Sequence, residues 1–252
     1  MIRIGIDVSN LCNLHCSYCY NNDLYKNKLI LDKHKLDVIF NKFKRSKELI
    51  HLDINGGEPT IYPYLKYLNS LIDNTSTIND VSLYTNGLFK HINIPKKING
   101  VFFSFHDKMT ADQEQLWHKN LSSIPNANII IVINNIRHAD RYNRIIGMYK
   151  RTRQIFLNPV KIFGVIKSYE RDIILDGRSF LDMLRIQTET PEFCELDSYH
   201  LRADGTLFED CGNVFYDLMK IPFEKIQKRT IKCSEKFCSV NSLIPLNQLV
   251  KI

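Results

Sequence analysis

Apolar positions along this chain follow two periods in alternation. Ile2–Val8 holds three isoleucines and a valine in seven residues and predicts a buried strand. In Asp32–Lys47 the apolar positions Leu36, Ile39, Phe40 and Phe43 recur at helical spacing, with Asp32 placed to cap the first turn. Leu49–Ile54 predicts a second strand, ending in the turn Asn55-Gly56-Gly57-Glu58-Pro59-Thr60, and Tyr62–Ile72 a second helix. Strands follow at Val81–Tyr84, which runs into Thr85-Asn86-Gly87, and at Gly100–Phe105. Ala111–Leu121 predicts a helix. Asn128–Asn134 predicts a strand through the β-branched run Ile129 to Ile133 and Ala139–Thr152 a helix, and Ile155–Val165 holds one more strand.

Near-continuous apolar strands that alternate with helices indicate parallel β/α units with both sheet faces covered. Six strands by about residue 165 are too few for an eight-unit barrel. They predict an α/β fold, a partial (β/α)6 TIM-like barrel with a small Cys-rich C-terminal extension. The expected division is a barrel core over residues 1–170 and an extension over 171–252. Within the extension, Tyr199–Arg202 and Thr206–Glu209 flank Ala203-Asp204-Gly205, an Asp-Gly turn that predicts a β-hairpin. Phe215–Ile226 is expected to be helical. No repeat or low-complexity tract interrupts the chain.

With 252 residues, 44% of them apolar and 24% charged, the chain has the balance of a globular domain. No apolar run approaches the roughly 18 residues of a membrane span. The start, Met1-Ile2-Arg3-Ile4-Gly5-Ile6-Asp7, has no basic region ahead of an apolar stretch, so a cytoplasmic protein is expected. The net charge of +7 comes from clusters around Lys42–Lys47, Arg137–Arg153 and Lys225–Lys236. These are expected to be solvated helix faces. An acidic peptide or nucleic acid is the competing partner, but no RNA-recognition signature supports nucleic acid.

Seven cysteines without an export signal argue against a disulfide framework. Cys12, Cys16 and Cys19 lie within eight residues at the end of the first predicted strand; Cys194, Cys211, Cys233 and Cys238 lie in the last quarter. Two separate metal or cluster sites fit this grouping. Three thiolates on one short loop can hold three irons of a 4Fe–4S cube and leave the fourth open to a substrate or cofactor. The competing reading is zinc, which wants four ligands in a closed structural site; here His15 would have to join the three cysteines.

The segment Cys12-Asn13-Leu14-His15-Cys16-Ser17-Tyr18-Cys19 has the spacing C-x3-C-x-aromatic-C, with Tyr18 at the aromatic position. It resembles the signature of the radical S-adenosylmethionine (SAM) superfamily. In that family, a Gly-Gly-Glu-Pro turn after the second strand contacts the SAM amino group, and here Gly56-Gly57-Glu58-Pro59 stands there. Tyr84-Thr85-Asn86-Gly87 is similar to the family's Thr-Asn-Gly strand end, which brings in Asn86. Phe103-Ser104-Phe105-His106 is similar to its fourth-strand Ser-x-Asp, which brings in Ser104. His106 departs from that pattern, and its role is left open between structural and catalytic. Asn134 and Asn135 end the fifth strand, where the SAM ribose or carboxylate and turn capping are alternatives. The resemblance spans residues 2–166. It implies an enzyme in which the reduced cluster passes one electron to SAM. Methionine leaves, and a 5′-deoxyadenosyl radical abstracts hydrogen from the substrate. It also implies an electron donor such as flavodoxin or ferredoxin.

A cysteine before a strand, a Gly turn and a second cysteine resemble the twitch extension and the opening of the longer SPASM extension. The segment Thr206–Asp210 between Gly205 and Cys211 is one residue longer than usual. The implied second 4Fe–4S cluster would use Cys194, Cys211, Cys233 and Cys238. Zinc, and three ligands plus a free thiol acting as hydrogen donor, are the alternatives. The expected substrate is a ribosomally synthesised peptide, although no leader-peptide-binding segment precedes the first strand in this sequence. The alternative is a small molecule such as an amino acid, sugar or nucleoside derivative. A non-catalytic iron–sulfur protein is the reading furthest from the motifs.

Overall fold

The structure, a computed structural model, describes residues 1–19, 28–92, 94–162, 165–166, 174–180, 193–196, 198–209, 215–223, 229–232 and 244–246. Its elements in chain order are β1 (Ile2–Asp7), α1 (Lys33–Phe43), β2 (Ile50–Asn55), α2 (Leu65–Asp73), β3 (Ile78–Thr85), β4 (Ile98–Phe105), α3 (Ala111–Ser123), β5 (Asn128–Ile133), α4 (Ala139–Tyr149) and β6 (Ile155–Pro159). Short strands follow: β7 (Lys161–Ile162), β8 (Val165–Ile166), β9 (Ile174–Leu175), β10 (Arg178–Ser179), β11 (Phe193–Leu196), β12 (Ser198–Leu201), β13 (Thr206–Glu209), β14 (Phe215–Asp217), β15 (Arg229–Lys232) and β16 (Ile244–Pro245).

Strands β1 to β6 pair in sequence order, each parallel to the next. The sheet is ten-stranded and unclosed, in the order β14-β13-β12-β1-β2-β3-β4-β5-β6-β16. A partial TIM-like barrel describes it. The expected six-unit repeat is incomplete among the described residues: four α-helices are present, and no helix joins β3 to β4. The extension is stitched directly to the barrel. β12 runs parallel to β1, with Ile4 opposite Tyr199 and Gly5 opposite His200.

Local chemistry accounts for the helix ends. Asp32 accepts from the Lys35 amide at 2.8 Å, as expected of an N-cap. Thr110 and Gln113 form a reciprocal capping box at the start of α3. One face of the sheet, carrying Ile4, Ile6, Leu52, Ile54, Phe103 and Ile129, is buried with α1 to α4 in a single core. Trp117 of α3 is fully buried there, at ring distances of 6.1 Å from Phe103 and 5.4 Å from Phe105.

Among the described residues the opposite face carries no helix, and it divides into two walls. Over β1 to β3 it is charged: Asp53 lies 2.5 Å from Arg3 and 3.0 Å from His51, whose other ring nitrogen is 2.7 Å from Asp80. Asp7 and His200 are paired nearby at 2.9 Å. Over β4 to β6 it is apolar, with Phe102, Phe156, Ile130 and Val132 clustered with Tyr84 and Tyr18 apart from the main core. Tyr84 and Phe102 stack at 4.7 Å.

Two expectations need correction. Phe215–Ile226 is not a helix over its described part. Phe215–Asp217 pairs with β13, and Asp217 then caps the following turn by accepting from Met219 N at 2.9 Å. The apolar spacing looked helical, but the sheet edge left by the hairpin offered a stronger partner. The strand expected within Ile155–Val165 is β6, which stops at Pro159, and β7 and β8 form a separate antiparallel ribbon. The basic clusters are also only partly solvated. Arg141 and Arg144 grip Glu114 at 2.6 and 2.5 Å, Arg153 holds the carbonyls of Leu121 and Ile124, and Lys42 holds those of Leu218 and Ile221. No helix among the described residues is long and apolar enough to cross a membrane.

The charged wall makes stability pH-dependent. The hydrogen bond to Asp53 raises the His51 value, against burial. A raised histidine contributes fully below its unfolded value of about 6.5 and loses that contribution as pH rises through the folded value. In denaturant melts, the stability gap between wild type and His51→Gln should therefore be widest near the acid end of neutrality and narrow toward alkaline pH. A gap that widens with pH would contradict the assignment.

Candidate iron–sulfur and SAM site

Where β1 ends, the chain leaves the sheet in a loop whose base is closed by backbone pairing. Leu31 N donates to Val8 O at 3.0 Å, Asn10 N donates to Leu29 O at 3.1 Å, and Leu29 N donates to Asn10 Oδ1 at 3.0 Å. Cys12, Cys16 and Cys19 stand on this loop, half-buried and free of disulfides. The glycine turn after β2 lies flat against it. Gly57 N donates to Ser9 O and Glu58 N to Leu11 O, both at 2.7 Å. A Cβ on Gly56 would come within 2.5 Å of Ser9 O, and one on Gly57 would sit inside the contact shell of the Leu11 carbonyl. Gly56 also has φ +125°, a conformation open to glycine. The two glycines thus serve a backbone-to-backbone clamp.

Glu58 completes that clamp from beneath. It is 1% exposed, and its carboxylate accepts from Thr60 N (3.0 Å), Thr60 Oγ1 (2.6 Å), Thr85 Oγ1 (2.7 Å) and Asn86 N (2.7 Å). Burial pushes its pKa up, and these four hydrogen bonds oppose the shift. The Glu58 side chain therefore ties the end of β2 to the end of β3. Pro59 follows as the buried first residue of a 3₁₀ turn. Asn86 reaches the cysteine loop itself: its Nδ2 donates to Asn13 Oδ1 at 2.6 Å and lies 3.8 Å from Cys12 Sγ. Asn13 returns a bond to Leu88 O at 2.7 Å.

On the other side of the loop, Tyr18 and His106 stack with their rings 19° apart, and the Tyr18 hydroxyl lies 3.0 Å from His106 Nδ1. Cys16 Sγ lies 3.8 Å from the same nitrogen. Packing around the imidazole pushes its pKa down to about 4. Ser104 sits on β4 one strand position before Phe105, and its carbonyl accepts from Trp117 Nε1 at 3.2 Å. Asn134 follows β5 directly. Asn135 caps the next turn, accepting from Arg137 N at 3.0 Å. The sequence reading missed Asn13, Thr60, Thr85 and the carbonyls of Ser9 and Leu11. Asn13, Thr60 and Thr85 stood within quoted motif segments; the others carried no signal beyond their nearness to a motif.

The thiols fit a cluster. Burial raises Cys12 to about 11 and also raises Cys16, and the loop's other thiols add to the shift in the same direction. Such thiols stay protonated unless positive charge offsets the cost, as ligated iron would. Among the described residues no three His, Cys, Asp or Glu side chains converge closely enough to hold one ion. A cube spreads its three thiolates over three irons and needs no such convergence. Of the C-terminal set, Cys211, Cys233 and Cys238 lie outside the described residues, and only the backbone of Cys194 is described, in β11.

Residues 2–102 match the family model of the 4Fe-4S single cluster domain. Solved structures share the fold. Similar over 88% of this chain are anSMEcpe with bound AdoMet (15% identity, TM-score 0.58, 76% of that chain) and native anSMEcpe with AdoMet and Cp18Cys peptide (15%, 0.57, 78%). Also similar over 88% is Streptococcus suis SuiB bound to precursor peptide SuiA (13%, 0.52, 63% of that chain). No curated protein sequence matches the chain. The matched model spans the cysteine loop and the glycine turn, and the fold is shared with these AdoMet-bound and peptide-bound structures, which agrees with the resemblance read from the loop.

The clamp can be tested apart from any reaction. Gly57→Ala should cost about 1–3 kcal/mol or more, because backbone must move to admit the methyl group, and should lower the iron bound after anaerobic reconstitution. Gly147→Ala is the control. It lies in α4 with nothing within 4 Å of its would-be Cβ and should stabilise by about 0.5–1 kcal/mol. Equal iron loading and equal melting of Gly57→Ala and wild type would refute the clamp.

Proposed function

We propose that the chain is a radical SAM enzyme that modifies a ribosomally synthesised peptide. The observation that carries the reading is the clamp between the Cys12–Cys19 loop and the Gly56-Gly57-Glu58 turn at the C-terminal ends of β1 and β2. Ligand sites of parallel α/β folds gather at that end. Cys12, Cys16 and Cys19 would hold a 4Fe–4S cluster. Tyr18, Gly56, Gly57, Glu58, Pro59, Asn86, Ser104 and Asn134 would form or support the SAM pocket, Glu58 by holding the turn in place. When bound, cluster and SAM supply a one-electron reductive cleavage that yields a 5′-deoxyadenosyl radical.

The chain's own work is positional. The clamp fixes the loop against the sheet, and the half-buried thiols keep the site partly shielded from water. The helix-free face offers an apolar wall of Phe102, Phe156, Ile130 and Val132 beside the charged wall of Arg3, His51 and Asp53. An amphipathic peptide segment suits such a surface, and the peptide-bound states of anSMEcpe and SuiB support the choice. The alternative is a small polar molecule, favoured by the Asp7–His200 pair on the same face. A ferredoxin or flavodoxin is the proposed electron donor, and the cytoplasm the proposed location.

For the extension, residues 171–252, we propose a second 4Fe–4S cluster on Cys194, Cys211, Cys233 and Cys238. β11 pairs with β15, with Cys194 opposite Ile231, and Cys233 follows two residues after Ile231 in the sequence. That pairing supports the approach of these two cysteines.

After anaerobic reconstitution, wild type should convert SAM to 5′-deoxyadenosine, and the variant with Cys12, Cys16 and Cys19 all changed to Ala should not. Undiminished cleavage in the triple variant would sink the assignment. Incubation with a peptide encoded beside this gene should change that peptide's mass; an unchanged peptide alongside conversion of a metabolite would favour the small-molecule reading. Iron analysis addresses the second cluster separately. The triple variant should retain about four irons per chain, whereas one zinc and no iron would mean a structural zinc site.

A further inference from the structure

His106 stands where the family resemblance leads one to expect an acid, and the structure gives it a different partner. Its Nδ1 faces two groups of the cysteine loop at once, Tyr18 Oη at 3.0 Å and Cys16 Sγ at 3.8 Å. The placement is anchored by contacts on both sides. Met109 N closes a turn onto His106 O at 3.2 Å, and Arg141 grips the carbonyls of Asp107 and Met109 from α4. Lys108 Nζ reaches Ser17 Oγ at 2.9 Å, which pins this turn to the loop between Cys16 and Tyr18.

One nitrogen cannot accept from Tyr18 and donate to Cys16 in the same tautomer. With Cys16 as a thiol, the Tyr18 hydroxyl can donate to Nδ1. An iron-bound thiolate has no proton, so a contact with it is favourable only when the nitrogen carries the hydrogen. The Tyr18 oxygen can share that hydrogen, and its own hydroxyl is then free to donate to the sulfur. A donor beside a cluster sulfur favours the more negative, reduced state. We propose that His106 is a positioning residue that donates Nδ1–H to the Cys16 sulfur and so raises the reduction potential of the cluster held by the loop. The inference rests on the reading of that loop as a 4Fe–4S site.

The test is a redox titration of the full reconstituted chain without SAM, followed by the EPR signal of the reduced cluster. His106→Leu removes the donor. His106→Asn keeps an amide nitrogen at the position of Nδ1. The Leu variant should have a lower midpoint, with the reduced fraction at a fixed potential down severalfold; a tenfold change corresponds to about 59 mV for one electron. The Asn variant should recover most of the difference. Equal midpoints in all three loaded proteins would overturn the proposal, as would a higher midpoint in the Leu variant. Should His106→Leu fail to load, the wild-type site still decides. In a His15→Gln background, with the neighbouring exposed histidine removed, ¹⁵N-histidine labelling should alter a nitrogen coupling to the reduced cluster, and absence of any such coupling overturns the proposal. A wild type that binds no cluster at all is a distinct result, which removes the reading of the loop and this inference together.

Discussion

Glu58 is an ionisable group with 1% exposure, placed beneath the loop that holds the three clustered cysteines. An isolated buried carboxylate is costly, and it is tolerated where hydrogen bonds replace the lost water. Here the four donors come from two strand ends, Thr60 after β2, and Thr85 and Asn86 at the end of β3. The backbone of the same turn reaches Ser9 and Leu11 after β1. Three strand ends are therefore fixed relative to one another through one side chain and two glycine positions. Asn86 passes the constraint back to Asn13 and to within 3.8 Å of Cys12 Sγ. If the carboxylate were displaced, Thr85, Asn86 and Thr60 would lose partners together, and the loop would lose its floor.

Much of this was legible in the sequence because its signals were local. The apolar runs placed β1 to β6 within a few residues, since a strand buried on its helix-facing side keeps its hydrophobic code whatever surrounds it. Asp32 as a cap and Asp204-Gly205 as a hairpin turn are decided by neighbours in the chain, and both appear in the structure. The Gly56-Gly57 pair was legible as a turn needing close approach. What was hidden is long-range. Nothing near Phe215 says that β13 will leave an edge for it, and nothing near Arg141 announces a buried Glu114 on another helix. The motif reading placed Glu58 with the cofactor-binding turn; hidden from it were the partners of the carboxylate, Thr60, Thr85 and Asn86. Turns that bind and turns that hold the binding turn share the same residues in sequence, and only the partners distinguish them.

The extension changes how the barrel should be viewed. An open barrel has two sheet edges, and exposed edges invite unwanted pairing. Here β12 covers the edge of β1, and β16 covers that of β6. Beyond protecting an edge, β12 brings His200 opposite Gly5, where a Cβ would come within 3.1 Å of the imidazole. The absence of a side chain at residue 5 is what lets His200 lie across the strand toward Asp7. A chain without the extension would leave Asp7, 4% exposed and at the root of the cysteine loop, without that partner.

The charged and apolar walls of the helix-free face then have separate physical roles. On the charged wall, Arg3, His51, Asp53 and Asp80 are paired with one another, so their charges are largely satisfied within the protein. A ligand approaching them would have to compete with short, partly buried ion pairs. The apolar wall has no such internal satisfaction: Phe102, Phe156 and Tyr84 are only partly buried, and covering them further is favourable by the ordinary hydrophobic term of about 25 cal/mol per Å². Affinity for a ligand should therefore come mainly from the β4–β6 side, against which Tyr18 packs next to Cys16. The polar side would contribute orientation more than binding energy. On the proposed function, such a division suits a reaction in which one bond of a larger molecule must be held in place while the rest of that molecule supplies the grip.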